Sequence, residues 1–455
     1  MSDAPETLDT VVGEIRRRVT PEPAERERLA AVTQTLIDRA EAAVAELPVS
    51  ADVIRVGSTA RDTWLAGDRD IDIFVRFDPS LSRERLETHG LAVGQQVLPD
   101  GVQEYAEHPY VRGEYEEFAV DCVPCYRVVD ATAIESAVDR TPFHNEYMQA
   151  RLEERHTGGV RVVKALLKAT GAYGADLRTR GFSGYLVELL VLEHGGAGSL
   201  IETAAEWEPP VRLDPESHGA ASFDDPLVVI DPTDPRRNVA AACSASNLAR
   251  FQHYSRQLLA APSTAWFEPD PPSGLGRPAV ADRVDRRGTH PVAIRFETPA
   301  LVDDLLHPQL EKSLSSLEAE LGRRGFDPLR ASSMATTEQA VLLLECAVAE
   351  RPAITRHQGP PVGVGAHAAT FYETYADRED VTGPYIEDGR YVVERPREFR
   401  TPESFCASPS LFDIALGPDI ADALEQDYEV VTGSAIAGLS EPFGAELAAY
   451  FDPQP

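Results

Sequence analysis

The chain has 455 residues, 43% of them hydrophobic, which is enough for two or three domains with substantial cores. Asp and Glu number 75 against 43 Lys and Arg, which gives a formal net charge of −32 at pH 7. The hydrophobic content argues against a disordered acidic chain, and the charge would repel nucleic acid in dilute salt.

The acidic residues are spread along the whole chain, whereas the strong bases are almost all arginine. Only Lys164, Lys168 and Lys312 are lysines. Dispersed acidity of this kind is typical of proteins that work in molar salt, where the screening length falls to about 3 Å. We therefore expect a halophilic protein whose acidity reflects its solvent and not its binding partner.

No apolar run approaches the ~20 residues that a membrane span requires, and the first residues lack the basic-then-apolar order of a signal peptide. We therefore expect a cytoplasmic protein without membrane contact. The five cysteines are scattered and odd in number, which argues against a disulfide framework. Cys122 and Cys125 resemble half of a zinc or redox site, but no second pair follows at ligand spacing.

Two helices and a strand that ends at a glycine are predicted first. Apolar residues recur at helical spacing through residues 7–47, with a proline-marked turn between two helices. Residues 53–56 predict a strand, and the segment 59–66, which lacks Gly and Pro, predicts a helix that begins near Gly57 and Ser58. The unpaired N–H groups at that helix start, beside the Ser58 hydroxyl, form a predicted phosphate site.

Three aspartates follow in strand patterns. Alternation over residues 70–75 places Asp70 and Asp72 on one face of a strand, and Asp121 interrupts the apolar strand 118–123. Carboxylates so close repel one another unless water or a cation lies between them, and oxygen ligands suit Mg²⁺. Asp-x-Asp alone is also common on solvated strands, so the prediction of a magnesium site depends on the combination with the Gly-Ser turn and the third acid.

Alternating helices and strands continue to about residue 130. A helix over 83–90 ends at Gly90, and residues 102–111 and 117–124 predict two more strands. This pattern bounds a catalytic head at 1–134.

Helical patterns then dominate a central nucleotide-binding domain at 135–262, and mixed elements follow in a body and tail at 263–455. Residues 262–291, rich in Pro, Gly and Asp, predict a linker or loop. In the tail, strands over 292–296 and 340–348 flank a helix over 303–322.

Residues 161–171 predict a helix with Lys164 and Lys168 one turn apart on the same face. In a chain that uses Arg almost everywhere, retained lysines indicate a site for a compact ammonium group, such as a triphosphate site. A solvated pair is the alternative. The tail also contains arginines that either contact phosphates or pair with neighbouring acids, namely Arg323, Arg324, Arg330, Arg351 and Arg356.

Eight segments, in order along nearly the whole chain, resemble the archaeal (class I) CCA-adding enzymes, which are tRNA nucleotidyltransferases. They are Val56–Leu65, Asp70–Phe74, His108–Val111, Val120–Tyr126, Thr141–His144, Arg180–Tyr185, Arg237–Ala241 and Gly383–Glu394. The Gly-Ser turn and the three aspartates are the motif of the nucleotidyltransferase fold shared with DNA polymerase β. The resemblance implies an α/β plus α protein: a polymerase-β-like nucleotidyltransferase head with a mixed sheet, a helical central domain and an α/β C-terminal tail domain that binds tRNA.

The resemblance also implies the site. Asp70, Asp72 and Asp121 would carry Mg²⁺ and the catalysis. The residues expected to hold the nucleoside triphosphate are Gly57, Ser58, Arg61, His144, Lys164 and Tyr173, with Arg237 reading the base. Two positions depart from the family pattern, because Asp70 is often Glu and Asn145 stands where a second histidine often follows.

The implied reaction transfers CMP, CMP and AMP from CTP and ATP to the 3′ end of tRNA, without a template and with release of pyrophosphate. A homodimer is expected from the family only. A poly(A) or terminal uridylyl transferase, which shares the metal triad, is the alternative. A non-catalytic RNA-binding protein on an inactive nucleotidyltransferase scaffold is a second one, against which the three intact carboxylates speak.

Overall fold

The computed structural model describes residues 7–105, 107–219, 222–269 and 273–455. The chain divides into two compact units, Met1–Asp270 with Pro455, and Pro271–Gln454. In the described part of the chain, no helix combines the length and the apolar character needed to cross a membrane.

The first unit contains helices, strands and two short 3₁₀ helices, Ala137–Arg140 and Thr264–Phe267. Its α-helices are α1 Leu8–Val19, α2 Pro23–Ala45, α3 Gly57–Ala60, α4 Arg83–Val97, α5 Thr141–Gln149, α6 Glu154–Ala169, α7 Gly184–His194, α8 Ala197–Ala205 and α9 Ala245–Ala260. Its strands are β1 Ala51–Val56, β2 Asp70–Phe77, β3 Val102–Tyr105, β4 Pro109–Tyr115, β5 Phe118–Tyr126, β6 Val211–Leu213 and β7 Leu227–Val229.

A five-stranded mixed sheet in the order β1-β2-β5-β4-β3 organises the first half of this unit. Strands β2 and β5 are parallel, and the other neighbours are antiparallel. Because side chains alternate along a strand, Ile71, Ile73 and Val75 all point to one face of the sheet, where they pack into a core covered by α2 and α4. The acids of the same strands therefore lie on the opposite face.

Helices form the second half of the first unit. Apolar residues cover most of α7, so this helix is buried, as a helix that is apolar all round must be. Helix α7 begins at Ser183, whose side chain accepts a hydrogen bond from the Leu186 N–H, and it ends at Gly195, whose φ is +75°. It packs against α6 and α8, and α1 from the start of the chain completes the same core.

The second unit has two antiparallel sheets, in the orders β14-β8-β10-β9 and β11-β13-β12. Its strands are β8 His290–Glu297, β9 Pro328–Ala335, β10 Gln339–Cys346, β11 Ile354–Pro361, β12 Thr382–Glu387, β13 Arg390–Pro396 and β14 Tyr428–Thr432. Its α-helices are α10 Arg277–Arg287, α11 Asp303–Arg323, α12 Gly365–Tyr375, α13 Pro402–Cys406, α14 Pro418–Gln426 and α15 Ser440–Phe451, with 3₁₀ helices at Pro409–Asp413 and Gly433–Leu439. Apolar cores cover both faces of the four-stranded sheet.

Most predicted elements are confirmed, and four predictions are wrong. The helix expected over 59–66 is the single turn α3, and the helix expected to end at Gly90 runs on to Val97. Three strands replace the two expected between residues 102 and 124. The predicted loop 262–291 contains α10, while its residues 270–272 lie outside the described residues. The first unit combines a mixed sheet with a helical half, and the second unit combines strands and helices, so the expected fold class is confirmed. The domain border expected at residue 134 stays a prediction.

Candidate active site

Two of the three predicted catalytic aspartates are direct neighbours. The parallel register of β2 and β5 pairs Asp72 with Asp121, and Asp70 begins β2 on the same face, opposite Ala119. Gly57 closes this cluster from the side of β1. A Cβ atom at residue 57 would lie 1.9 Å from the Asp72 Oδ2 atom, and the φ of Gly57 is +78°, so this position requires glycine.

The environment makes the two central carboxylates costly to ionise. Burial, followed by the negative charges of Asp121 and Asp70, raises the pKa of Asp72 to about 6. Burial also raises the pKa of Asp121, against the attraction of Arg112, whose Nε lies 3.6 Å from the Asp121 Oδ1 atom. That Oδ1 atom is buried and has no hydrogen-bond partner. A cation between the carboxylates would relieve both costs.

The residues of the aspartate cluster suit Mg²⁺. In the described part of the chain, no three His, Cys, Asp or Glu side chains lie close enough together to form a complete set of metal ligands. The donors of the aspartate cluster are oxygen only, one of them is an unsatisfied buried carboxylate oxygen, and Gly57 leaves room against Asp72. Mg²⁺ takes one or two carboxylates and keeps the remaining positions for water and phosphate, so a partly formed cluster is sufficient.

Arg61 and Lys164 belong to one buried network around Glu188 of α7. The Arg61 Nε donates to Glu188 Oε2 at 2.8 Å, and the Thr63 hydroxyl donates to Glu188 Oε1. The Lys164 Nζ donates to the Thr63 carbonyl at 3.0 Å. Burial lowers the pKa of Lys164 to about 8, although the charge of Glu188 opposes this. In the described part of the chain, no carboxylate accepts a hydrogen bond from the Lys164 ammonium.

The other predicted triphosphate residues border this network. The Ser58 carbonyl accepts the Thr63 N–H at 2.9 Å, which closes the turn after α3. The backbones of Tyr173 and Phe182 pair in a single β-bridge, and burial raises the pKa of the Tyr173 hydroxyl. Lys168 lies outside this network: its side chain is half-exposed, and its Nζ pairs with Asp68 at 2.8 Å.

His144 and Arg237 meet at a second buried carboxylate, Asp231. The Asp231 Oδ2 atom accepts from His144 Nε2 at 2.8 Å and from Arg237 Nη1 at 3.0 Å. The His144 ring stacks on Tyr185, with centroids 3.8 Å apart. Burial lowers the pKa of His144 against the attraction of Asp231. The pKa of Asp231 is lowered, because the hydrogen bonds from His144 and Thr233 outweigh burial.

Comparison with known families covers most of the chain. The models described as "Nucleotidyltransferase domain", "tRNA nucleotidyltransferase, second domain" and "CCA-adding enzyme, C-terminal domain" match residues 37–144, 158–268 and 287–433. The CCA-adding enzyme of Haloarcula marismortui is 54% identical over 98% of this chain and 99% of its own length. That of Halorubrum lacusprofundi is 56% identical with the same coverage of both chains.

The chain belongs to the archaeal CCA-adding enzymes. A solved structure, "Structure of E. coli MS115-1 CdnC + ATP", superimposes with a TM-score of 0.45 at 16% identity, over 56% of this chain and 94% of that chain. That distant similarity bears on neither activity nor substrate. Because the relatives matched along the full length are CCA-adding enzymes, the alternative of a poly(A) or terminal uridylyl transferase is not supported.

Three residues of the candidate site were not singled out in the sequence. Glu188 is an acid inside an apolar helical run, which is a signal of a buried partner, but the sequence does not reveal which cations it meets. Asp231 resembles an ordinary turn residue, and Arg112 an ordinary strand residue. At Asn145, where the resemblance implies a second histidine, the Oδ1 atom accepts from Arg61 at 3.2 Å and the Nδ2 atom donates to the Arg55 carbonyl at 3.4 Å.

Four of the five tail arginines have side-chain neighbours of their own. Arg323 and Arg324 pair with Glu320, and Arg356 pairs with Glu387. The Arg330 guanidinium lies 4.4 Å from the centre of the Tyr450 ring. Cys122 and Cys125 are buried thiols whose pKa values burial raises, Cys122 to about 12.

Proposed function

We propose that this protein completes and repairs the 3′ end of tRNA, transferring CMP, CMP and AMP from CTP and ATP with release of pyrophosphate. The family assignment supports the reaction. The observation that carries the assignment of the site is the pairing of Asp72 with Asp121 in register, with Gly57 packed against Asp72. Neighbouring carboxylates on one sheet face are the arrangement that two-metal nucleotidyl transfer requires.

Asp70, Asp72 and Asp121 would hold Mg²⁺ in this proposal. When bound, the metal would lower the pKa of the terminal tRNA hydroxyl and neutralise charge on the phosphates. Asp72 contributes an ionised carboxylate above its raised pKa of about 6. Burial raises the pKa of Asp121, and the nearby Arg112 guanidinium favours the charged form against it. The buried Asp121 Oδ1 atom has no hydrogen-bond partner in the described residues, so it remains available to a cation.

The nucleotide would be held by the two buried networks. Gly57, Ser58, Arg61, His144, Lys164 and Tyr173 are the proposed triphosphate contacts. Glu188 holds the Arg61 guanidinium, and the Thr63 carbonyl holds the Lys164 ammonium. Because both side chains are already fixed, binding of the triphosphate would cost them little conformational entropy. The Arg237 side chain is half-exposed, and among the described residues its guanidinium donates only through Nη1 to Asp231. Its other N–H groups would then donate to the edge of cytosine or adenine.

The remaining expectations belong to the same proposal. The enzyme would act on tRNA in the cytoplasm of a halophile, as a homodimer. RNA helices are read by shape, through phosphates and 2′-hydroxyls, and we assign that role to the second unit because it carries the match to the family's C-terminal domain. In molar salt, counterion release weakens, so hydrogen bonds and stacking must supply more of the affinity for tRNA.

The test is nucleotide addition to a tRNA that lacks CCA, with Mg²⁺ at high KCl and each triphosphate alone or in combination. The wild type should add C, C and A and then stop. Asp72→Asn should lower kcat by about a thousandfold or more, because the amide cannot supply the ionised oxygen that a metal requires.

Asp100→Asn is the matched control, since Asp100 is an exposed acid of the same unit outside the cluster. It should leave kcat unchanged. Addition of long runs of a single nucleotide would instead identify a poly(A) or uridylyl transferase. Full activity in Asp72→Asn would exclude this carboxylate from catalysis and support a different site.

A further inference from the structure

Asp231 divides its two carboxylate oxygens between two tasks. The Oδ1 atom accepts from the Thr233 N–H at 2.9 Å and from the Thr233 hydroxyl at 2.8 Å, which closes the local turn. The Oδ2 atom accepts from His144 and from Arg237, at 2.8 and 3.0 Å. The side chain is 0% exposed, so no water replaces a lost partner from bulk solvent.

The two donors have different predicted tasks. His144, on α5, is a proposed contact of the triphosphate, and Arg237 is the proposed reader of the base. Their only shared acceptor in the described residues is the single oxygen of Asp231. A donor that shifts toward the nucleotide therefore changes the hydrogen bond left for the other donor.

We propose that Asp231 is a positioning residue that couples base reading by Arg237 to triphosphate binding by His144. This inference rests on the proposed function, and it adds that the enzyme selects its nucleotide through a buried carboxylate that touches neither base nor phosphate. The two hydrogen bonds from Thr233 fix the Asp231 Oδ1 atom, and with it the position of the carboxylate. The Oδ2 atom therefore holds the His144 and Arg237 side chains at a fixed place. When the base is wrong, Arg237 does not make its hydrogen bonds to the base, and through Asp231 the position of His144 against the triphosphate changes as well.

Asp231→Asn tests the coupling, because an amide offers one acceptor oxygen and places a donor where the second oxygen stood. Addition of CMP and of UMP to tRNA lacking CCA is measured with the full-length protein at high KCl. We expect the KM for CTP to rise about tenfold and discrimination against UTP to fall about tenfold, with kcat at saturating CTP within about threefold of wild type.

Asp234→Asn is the matched control. Asp234 lies in the same turn, is 3% exposed, and accepts from Arg140 and Arg236 but not from the side chains of His144 or Arg237. Both variants should lose thermal stability, since each disturbs a buried carboxylate. Discrimination against UTP should change in Asp231→Asn alone; equal changes in the two variants would reduce Asp231 to a structural residue.

A double-mutant cycle covers the case in which Asp231→Asn does not fold. If His144 and Arg237 are coupled, the loss of kcat/KM in His144→Gln/Arg237→Gln should be at least about threefold smaller than the product of the two single losses. A loss equal to the product would overturn the coupling. A wild-type protein that adds no CCA would instead contradict the proposed function, so the two failures are distinct.

Discussion

Gly57 is constrained twice, by its backbone and by its neighbour. Its φ of +78° is a conformation that L residues rarely adopt, and an added Cβ would overlap Asp72 Oδ2 at 1.9 Å. Gly57→Ala should therefore move Asp72 as well as strain the turn. We expect a loss of about 1–3 kcal/mol in the free energy of unfolding and a fall in kcat of about a hundredfold or more.

Gly67→Ala separates backbone strain from displacement of the carboxylate. Gly67 has a similar φ of +85°, but no atom lies within 4 Å of an added Cβ. This variant should lose comparable stability and keep its kcat. Urea unfolding and single-turnover addition of CMP measure the two effects, and a normal kcat in Gly57→Ala would show that Asp72 tolerates movement.

We expect Lys164 to set an alkaline limit on the activity of the enzyme. Its pKa is lowered to about 8, so the ammonium that would meet the triphosphate is lost as the pH rises through that value. The kcat/KM for CTP should fall about tenfold per pH unit above pH 8. The alkaline fall should be absent in Lys164→Gln and retained in Lys168→Gln, whose lysine is exposed and paired with Asp68.

The stability of the fold should change with pH in the opposite direction to the activity. The folded pKa of Lys164 lies below its ordinary value of 10.5, so the folded protein binds fewer protons than the unfolded chain between pH 8 and 10.5. The cost of burying the charged lysine is therefore present below pH 8 and is relieved as the pH rises through this window. A kcat/KM that stays level to pH 9.5 in the wild type would contradict the assignment of Lys164.

At the scale of elements, helix α4 shows why a glycine was misread as a helix end. Gly90 lies inside α4, where an added Cβ would be 2.5 Å from the Pro124 Cβ atom of β5. The glycine allows the helix to approach the sheet. Gly90→Ala should lower the free energy of unfolding by about 1–3 kcal/mol, because the helix must move away from the strand.

Gly13 provides the opposite case within a helix of the same unit. It lies in α1 with nothing within 4 Å of an added Cβ, so Gly13→Ala should raise the free energy of unfolding by about 0.5–1 kcal/mol. Urea titrations of both variants measure the contrast. Equal effects would mean that helix propensity, and not packing against Pro124, decides at both sites.

Local patterns were sufficient for the two strands that carry the aspartates, β2 and β5, but not for the number of strands beside them. Alternation along β2 and an acid within apolar β5 are both visible in the sequence, whereas the register that pairs Asp72 with Asp121 is seen only in the structure. The networks at Glu188 and Asp231 were not accessible in this way. Glu188 meets a cation 127 residues away in the chain, and His144 lies 87 residues from Asp231, so only the folded chain reveals these partners.

At the scale of the whole molecule, the net charge of −32 opposes folding wherever it is not screened. Several acids are used in buried or half-buried pairs, such as Asp62 with Arg26 and Arg161. Exposed acids without such partners repel one another over a Debye length of about 8 Å at physiological ionic strength, and of about 3 Å at 1 M salt. Stability should therefore depend on salt more than on any single ion pair.

We expect the Tm to rise by about 10 °C or more between 0.2 and 2 M KCl, with most of the rise below about 1 M, because the repulsion is already short-ranged there. Differential scanning calorimetry measures the Tm at constant pH. Sorbitol at matched osmolality is the control, since it is excluded from the protein surface without screening charge. A rise with sorbitol as large as that with KCl would mean that exclusion of the solute, and not relief of charge repulsion, stabilises the protein.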